Sequence, residues 1–143
     1  MNQSAAKTGW GFWVIGIVAL VWNLLGVMNF IGQFDTELVA SMPSSHRALI
    51  EQRPIWATMA FAIAVFGGAI GSVLLLLRKK ICLPVFVLSL IGVLIQLVPS
   101  LQVMAAGTNF SSVEIFLAFM MPVIVATFLI WHAMRPRVRT HLT

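Results

Sequence analysis

The sequence predicts an all-α membrane protein, a single domain of four transmembrane helices with a short amphipathic helix between spans 1 and 2. The first observation behind this fold class is composition. Of the 143 residues, 60% are hydrophobic and only 9% are charged, whereas charged residues make up about a quarter of a soluble domain. The second is a set of four uncharged stretches, each about as long as a helix that crosses the hydrocarbon core of a bilayer. They run roughly over residues 10–31, 55–77, 81–103 and 115–134.

The third observation is that charges of opposite sign lie on opposite sides of these stretches. Seven of the nine Lys and Arg residues lie on one side, and all four carboxylates lie on the other. Basic residues gather on the cytoplasmic side of membrane proteins, so we expect a multi-pass protein with both termini in the cytoplasm. The cytoplasmic basic residues would be Lys7, Arg78, Lys79, Lys80, Arg135, Arg137 and Arg139, and the carboxylates are Asp35, Glu37, Glu51 and Glu114.

The first span is predicted to be a retained membrane helix. Its apolar run is longer than the roughly 7–15 residues of a signal-peptide core, and the small-residue stretch Leu38-Val39-Ala40 lies well beyond it. The polar segment 35–54 follows. In this segment Ser41 is the expected N-cap and Pro43 an early helical residue. Residues 48–50 supply a short apolar face, which predicts about two turns of helix on the outer membrane surface.

The remaining spans carry recognisable turn and cap signals. Arg78-Lys79-Lys80 predicts a tight cytoplasmic turn that makes spans 2 and 3 antiparallel neighbours. Pro99 predicts a kink or stop near the outer end of span 3, and Pro122 a kink inside span 4. Ser111 or Ser112 is expected to cap span 4, with Glu114 in its first turn.

Small residues line one face of span 2. They recur every four positions, and a GxxxG pair lies beside them; such residues let membrane helices approach closely. Two alternatives stay open, since this face can pack within the chain or against another subunit in a homo-oligomer or larger membrane complex. The helix-packing residues are Ala60, Ala64, Gly67, Gly68, Gly71 and Ser72.

Polar side chains inside spans 1 and 3 form the candidate ligand-binding site. Helical spacing places most of those in span 1 on one face, with Asn23 on its flank. Unpaired amides are costly in hydrocarbon, so both sets are expected to face the bundle interior, in its outer half, under the segment 35–54. They can act as interhelical hydrogen-bonding groups or bind a neutral polar solute, because an amide both donates and accepts hydrogen bonds. The candidates are Trp22, Asn23, Asn29, Gln33, Gln96 and Gln102.

Several function classes are disfavoured. The net charge of +5 comes from residues next to the spans, which predicts contact with lipid headgroups and no nucleic-acid partner. No nucleophile–base signature, metal motif or cofactor motif occurs, so we expect neither an enzyme nor a metal or cofactor. His46 near Glu51 is expected to be solvated surface, His132 an interfacial side chain, and the single cysteine, Cys82, a small buried residue.

Parts of the chain resemble a known group. The runs Pro54-Ile55-Trp56-Ala57, Trp22-Asn23-Leu24-Leu25-Gly26-Val27-Met28 and Phe86-Val87-Leu88-Ser89-Leu90-Ile91-Gly92-Val93 are similar to small bacterial four-span proteins, commonly labelled "sugar transporter" or uncharacterised. The resemblance covers most of the membrane part. It implies a bacterial inner-membrane setting, and it carries over no binding residues.

Two functions are therefore expected from the sequence. The first is a carrier or channel for a small, polar, neutral, sugar-like solute, with a polar cluster that faces the periplasm. Four spans enclose little volume, so alternating access would require two or more copies. The second is a non-catalytic membrane subunit that stabilises or regulates a larger complex through the Ala64/Gly68/Ser72 face.

Overall fold

A computed structural model describes residues 9–143 of the chain, and that part is helical without strands. Four segments are long and apolar enough to span a membrane: α1, α4, α5 and Ser112–Met134, called the fourth span below. The predicted fold class is confirmed. The helices are α1 (Trp10–Gly32), α2 (Thr36–Ser41), α3 (Ser44–Glu51), α4 (Ile55–Leu76), α5 (Cys82–Ala105), α6 (Ser112–Ile115), α7 (Met121–Met134) and α8 (Pro136–Arg139), with a π-helical turn (Phe116–Met120) between α6 and α7.

The four spans form a curved row in which α1 packs on α4, α4 on α5, and α5 on α7. The α4–α5 pair has the most extensive contact, as the tight turn between them predicts. Arg78 enables this turn by adopting a left-handed backbone conformation with φ of 59°. Large apolar side chains are exposed along all four spans, which gives the bundle an exterior suited to lipid.

The two ends of the bundle carry opposite charges. The end at which α4 and α7 finish is called the basic end, and the end at which α1 finishes is called the acidic end. At the basic end, the backbone N–H of Thr143 donates to the carbonyl of Arg78 at 2.7 Å, and the N–H of Lys80 donates to the carbonyl of Thr143 at 3.1 Å. The C-terminal residues therefore cover the α4–α5 turn. The basic end contains Arg78, Lys79, Lys80, Arg135, Arg137 and Arg139, and the acidic end contains Asp35, Glu37, Glu51 and Glu114.

The hydrophobic core is concentrated near the basic end. Phe12 of α1, Leu75 of α4, Phe86 of α5 and Leu129 of α7 are buried in one cluster. Val138 of α8 and Leu142 of the C-terminal tail join it from outside the spans. All four spans thus converge there, and the cluster closes the bundle at that end.

The small residues of α4 are buried by packing within the chain. A Cβ added to Gly68 would lie 1.9 Å from Oδ1 of Asn23 on α1, and one added to Gly71 would lie 2.7 Å from the ring of Phe86 on α5. Gly67 also contacts Ser89 of α5. Ala60, Ala64 and Ser72 are buried as well. In the described residues this face packs against α1 and α5 of the same chain, which corresponds to the intramolecular alternative.

The segment between α1 and α4 differs from its prediction, because it forms two short helices where one was expected. Asp35 caps the first, since its Oδ1 accepts from the N–H groups of Glu37 and Leu38 at 3.0 and 3.1 Å. Ser41 ends α2 and does not cap the next helix, and Pro43 precedes α3 with an extended ψ of 151°. The carboxylate of Asp35 supplies an earlier cap, which the prediction overlooked.

The predictions for the prolines and helix caps of the last two spans are confirmed only in part. A kink or a stop was predicted at Pro99, and the stop is wrong because α5 continues through Pro99 to Ala105. Ser111 caps the fourth span in a capping box with Glu114, as predicted. The π-helical turn immediately precedes Pro122. Its wider hydrogen-bond spacing accommodates the residue that lacks an N–H.

Candidate ligand-binding cavity

A cavity of about 380 Å³ lies between α1 and the fourth span, with α4 and α5 forming its rear wall. Its volume falls within the roughly 300–1,000 Å³ typical of small-molecule sites. The lining extends along the fourth span from Glu114 to Leu129 and along α5 from Phe86 to Ser100. At 1.5 Å per helical residue this is a length of about 20 Å, so the cavity is elongated along the bundle axis.

The cavity is closed toward the basic end. Phe86 and Leu129 line its floor and also belong to the buried core cluster. Beyond them, Phe12 of α1 contacts the ring of His132 on α7, with 6.2 Å between ring centroids. Elsewhere in the described residues, backbone contact between α1 and the fourth span is sparse. Helix packing therefore leaves the side between α1 and the fourth span unsealed along the acidic half.

Helix α3 covers the acidic end of the cavity. Its Leu49 and Ile50 contribute to the lining. Ser45 is buried, and its hydroxyl donates to Oε1 of Glu114 at 2.5 Å. Nδ1 of His46 lies 3.5 Å from the same oxygen. Glu114 thereby attaches α3 to the start of the fourth span, and α3 forms a cover that the spans alone do not provide.

Five of the six predicted binding residues line this one cavity. These are Trp22, Asn23, Asn29, Gln33 and Gln96. Gln102 does not, because it is exposed on α5. Gln102 lies six residues beyond Gln96, and the helix therefore places it about 240° around the axis, on a different face.

The lining amides have different hydrogen-bond partners. Nδ2 of Asn23 donates to the carbonyl of Ala19 at 2.8 Å and to Oγ of Ser72 at 3.5 Å, so Asn23 joins α1 to α4. Nearer the acidic end, Nε2 of Gln33 donates to Oδ1 of Asn29 at 3.2 Å. The interhelical alternative therefore applies to Asn23, whereas Asn29 and Gln33 bond to each other along α1 near the mouth of the cavity.

The polar and apolar parts of the lining are separated along the axis. Beside Phe86 and Leu129, the deep half is lined by Val93 and Val125. The hydroxyl of Ser89 lies at this depth but already donates to the carbonyl of Ala64 at 2.6 Å. The deep half therefore offers a solute few unpaired polar groups, while the half near the acidic end is rich in them.

Sequence reasoning missed the charged residues at the mouth. Arg53, His46 and Glu114 all line the cavity. The guanidinium of Arg53 lies 5.0 Å above the centroid of the Phe61 ring, and burial lowers its pKa below the ordinary value. No carboxylate lies within ion-pairing distance of Arg53 in the described residues. These residues lie at or beyond the span ends, and no local pattern indicates that the loop folds back over the bundle.

Two further residues lie in the closed basic end. Cys82 is fully buried, as expected. His132 is also buried, stacked on Phe128, and neither ring nitrogen has a hydrogen-bond partner among the described residues. It was expected at the membrane interface, but the convergence of α1 and α7 encloses it. Residues 9–143 contain no group of His, Cys, Asp or Glu arranged to hold a metal ion.

Comparison with known proteins adds no relative. No family model, curated protein or solved structure matches the chain. The resemblance to small bacterial four-span proteins therefore stays a prediction, and function has to be argued from the cavity itself.

Proposed function

We propose that this protein is a non-catalytic carrier of the bacterial inner membrane that binds a small solute in the cavity between α1 and the fourth span. The acidic end would face the periplasm, and both termini would lie in the cytoplasm, in keeping with the preference of basic residues for that side. The observation that carries the proposal is the cavity. Polar side chains from α1 and α5 converge in one space of about 380 Å³, and this is the usual composition of a ligand site.

A carrier is favoured over an open channel because the cavity has a floor. The core cluster of Phe12, Leu75, Phe86 and Leu129 fills the bundle at the basic end. A solute that enters from the acidic end would bind and stop there. Release on the other side requires the spans to separate at the basic end, and a bundle this small would achieve alternating access most readily as an oligomer.

The grouping of Ser45, His46 and Glu114 does not support an enzyme. In a hydrolytic triad the nucleophile donates to the base, and the acid orients that base. Here the Ser45 hydroxyl donates directly to the carboxylate of Glu114, and the imidazole of His46 lies beside that same carboxylate. This arrangement attaches α3 and does not activate an oxygen nucleophile.

The subunit hypothesis, in contrast, depends on a face that is buried within the chain. The small-residue face of α4 is covered by α1 and α5 of the same chain. A partner protein would have to bind elsewhere, and no described feature marks such a face.

Substitution of the lining amides tests the proposal. Asn29→Leu and Gln96→Leu should weaken retention of a small molecule, since each removes a polar group from the cavity. Gln102→Leu is the matched control, because this amide is exposed on α5 and outside the cavity. Native mass spectrometry after gentle extraction reads the mass bound per chain. The proposal would be contradicted if the wild-type protein carries no bound small molecule, or if all three variants retain the same bound mass.

A further inference from the structure

The deep half of the cavity is too apolar for a solute that is polar along its whole length. Val93, Val125 and Leu129 line it there. The nearby hydroxyl of Ser89 and amide nitrogen of Asn23 are already donating within the protein. Oδ1 of Asn23 accepts no hydrogen bond in the described residues, but a solute rich in hydroxyl groups would leave most of those groups without a partner at this depth. The inner part of the solute should therefore be hydrocarbon.

The mouth has a cation that no carboxylate of the described residues neutralises. Arg53 lines the cavity there and packs over Phe61. A guanidinium presents its N–H groups in a planar fork that matches a carboxylate. The carboxylate of Glu114 is already engaged, because Ser45 donates to Oε1 at 2.5 Å and the N–H of Ser111 donates to Oε2 at 2.7 Å. Glu114 keeps its negative charge, but both of its oxygens are occupied, so Arg53 is the cation available to an anionic solute.

The shape of the cavity fits a ligand with one hydrocarbon chain that lies along the bundle axis. The lining spans about 20 Å along the helices around a space of about 380 Å³, so the cavity is long for its volume. The contact between α1 and the fourth span is also sparse, so a side route from the bilayer between them needs little helix separation. A lipid-soluble chain can use this route, whereas a sugar would have to enter past α3.

We infer that the solute is a single-chain amphiphile with a carboxylate head, such as a long-chain fatty acid. The head would bind Arg53, and the chain would lie between α1 and the fourth span with its end near Leu129. This inference rests on the proposed function and replaces the expected sugar-like solute with a different class. One guanidinium matches one carboxylate charge, whereas a phosphate monoester carries about −1.5 to −2.

The test uses the full chain in nanodiscs of zwitterionic phosphatidylcholine, with native mass spectrometry to count bound molecules. Laurate is compared with methyl laurate, which has the same chain without the charge, and with glucose. We expect one laurate per chain, bound about tenfold or more tighter than methyl laurate, because a hydrogen bond to a charged group is worth about 1.5–3 kcal/mol.

Substitutions test the binding sites of the carboxylate head and of the hydrocarbon chain of the solute separately. Arg53→Gln should abolish the preference for laurate over methyl laurate, and Arg53→Lys should retain only part of it, because the charge stays but the planar fork is lost. Arg47→Gln is the matched control, since Arg47 is exposed on α3 and outside the cavity. Leu129→Trp should weaken binding of both compounds by filling the floor.

The outcomes separate this inference from the proposed function. Equal binding of laurate and methyl laurate by the wild type, or equal loss in Arg53→Gln and Arg47→Gln, would overturn the inference. Binding of glucose without laurate would overturn it and leave a carrier for polar solutes standing. Binding of none of the three, together with a bare chain after gentle extraction, would overturn both.

Discussion

At the scale of single residues, Gly92 has the least room for change. A Cβ added there would lie 2.6 Å from the carbonyl oxygen of Ala60 and 2.9 Å from the backbone nitrogen of Ala64. These are backbone atoms, which cannot rotate away as a side chain can. Ser89 lies one turn earlier on α5 and donates to the carbonyl of Ala64. The closest approach of α5 to α4 thus depends on two small residues in α5.

Gly92→Ala should therefore destabilise the protein although it adds a single methyl group. Overpacking of this kind typically costs about 1–3 kcal/mol, and here α5 must move away from α4. Gly11→Ala is the matched control, because nothing lies within 4 Å of a Cβ at Gly11. Thermal unfolding in detergent should show a lower Tm for Gly92→Ala only. Equal Tm values for the two variants would contradict the close approach.

At the scale of elements, α3 is held over the cavity by few interactions. The main one is the hydrogen bond from the hydroxyl of Ser45 to Oε1 of Glu114. The imidazole of His46 lies near that same oxygen. α3 has eight residues, and isolated helices of that length are marginal in water. Its helical state therefore depends on this attachment and on the contact of its apolar face with the bundle.

Ser45→Ala should loosen α3 without unfolding the spans. Loss of a hydrogen bond to a carboxylate, worth about 1.5–3 kcal/mol, should speed amide exchange in residues 44–51 about tenfold or more. Ser44→Ala is the matched control, because Ser44 is exposed and makes no such bond. Hydrogen–deuterium exchange with mass spectrometry measures the difference. Unchanged exchange in Ser45→Ala would show that the apolar face alone holds α3.

At the scale of the whole molecule, the separation of charge between the two ends predicts how the bundle lies in a membrane. Basic residues flank the α4–α5 turn and follow the fourth span, and the C-terminal tail binds back onto that turn. The carboxylates lie at the opposite end, beside α2 and α3. An inverted bundle would bring the cluster of basic residues to the outer surface, against the usual preference.

Cysteine labelling in spheroplasts tests this orientation. The single native cysteine, Cys82, is fully buried and is replaced by alanine as background. Glu37→Cys should react with a membrane-impermeant maleimide in intact spheroplasts, whereas Thr143→Cys should react only after permeabilisation. Both positions are exposed, so accessibility within the protein does not distinguish them. Labelling of Thr143→Cys in intact spheroplasts would contradict the proposed topology.

Some features of the site were predictable because they follow from helical periodicity. Trp22, Gly26, Asn29 and Gln33 recur at spacings of three and four, and the structure places them on one wall of the cavity. The prediction of Gln102 failed because it counted three residues on from Pro99, which is itself three residues beyond Gln96, and two such steps leave Gln102 about 240° around the helix axis. Each step of three residues falls about 60° short of a full turn, so spacing defines one face only when every residue is counted from the same starting position.

The sequence alone determined the number of spans, the antiparallel pairing of α4 and α5, and the opposite charges at the two ends. These properties follow from local hydrophobicity, chain length and the shortness of one turn. The tertiary structure decided which neighbours bury the small residues of α4, that α3 folds over the cavity, and that Arg53 lies at its mouth. Such features depend on helix rotation and on contacts between distant parts of the chain, such as Ser45 with Glu114, which no local pattern specifies.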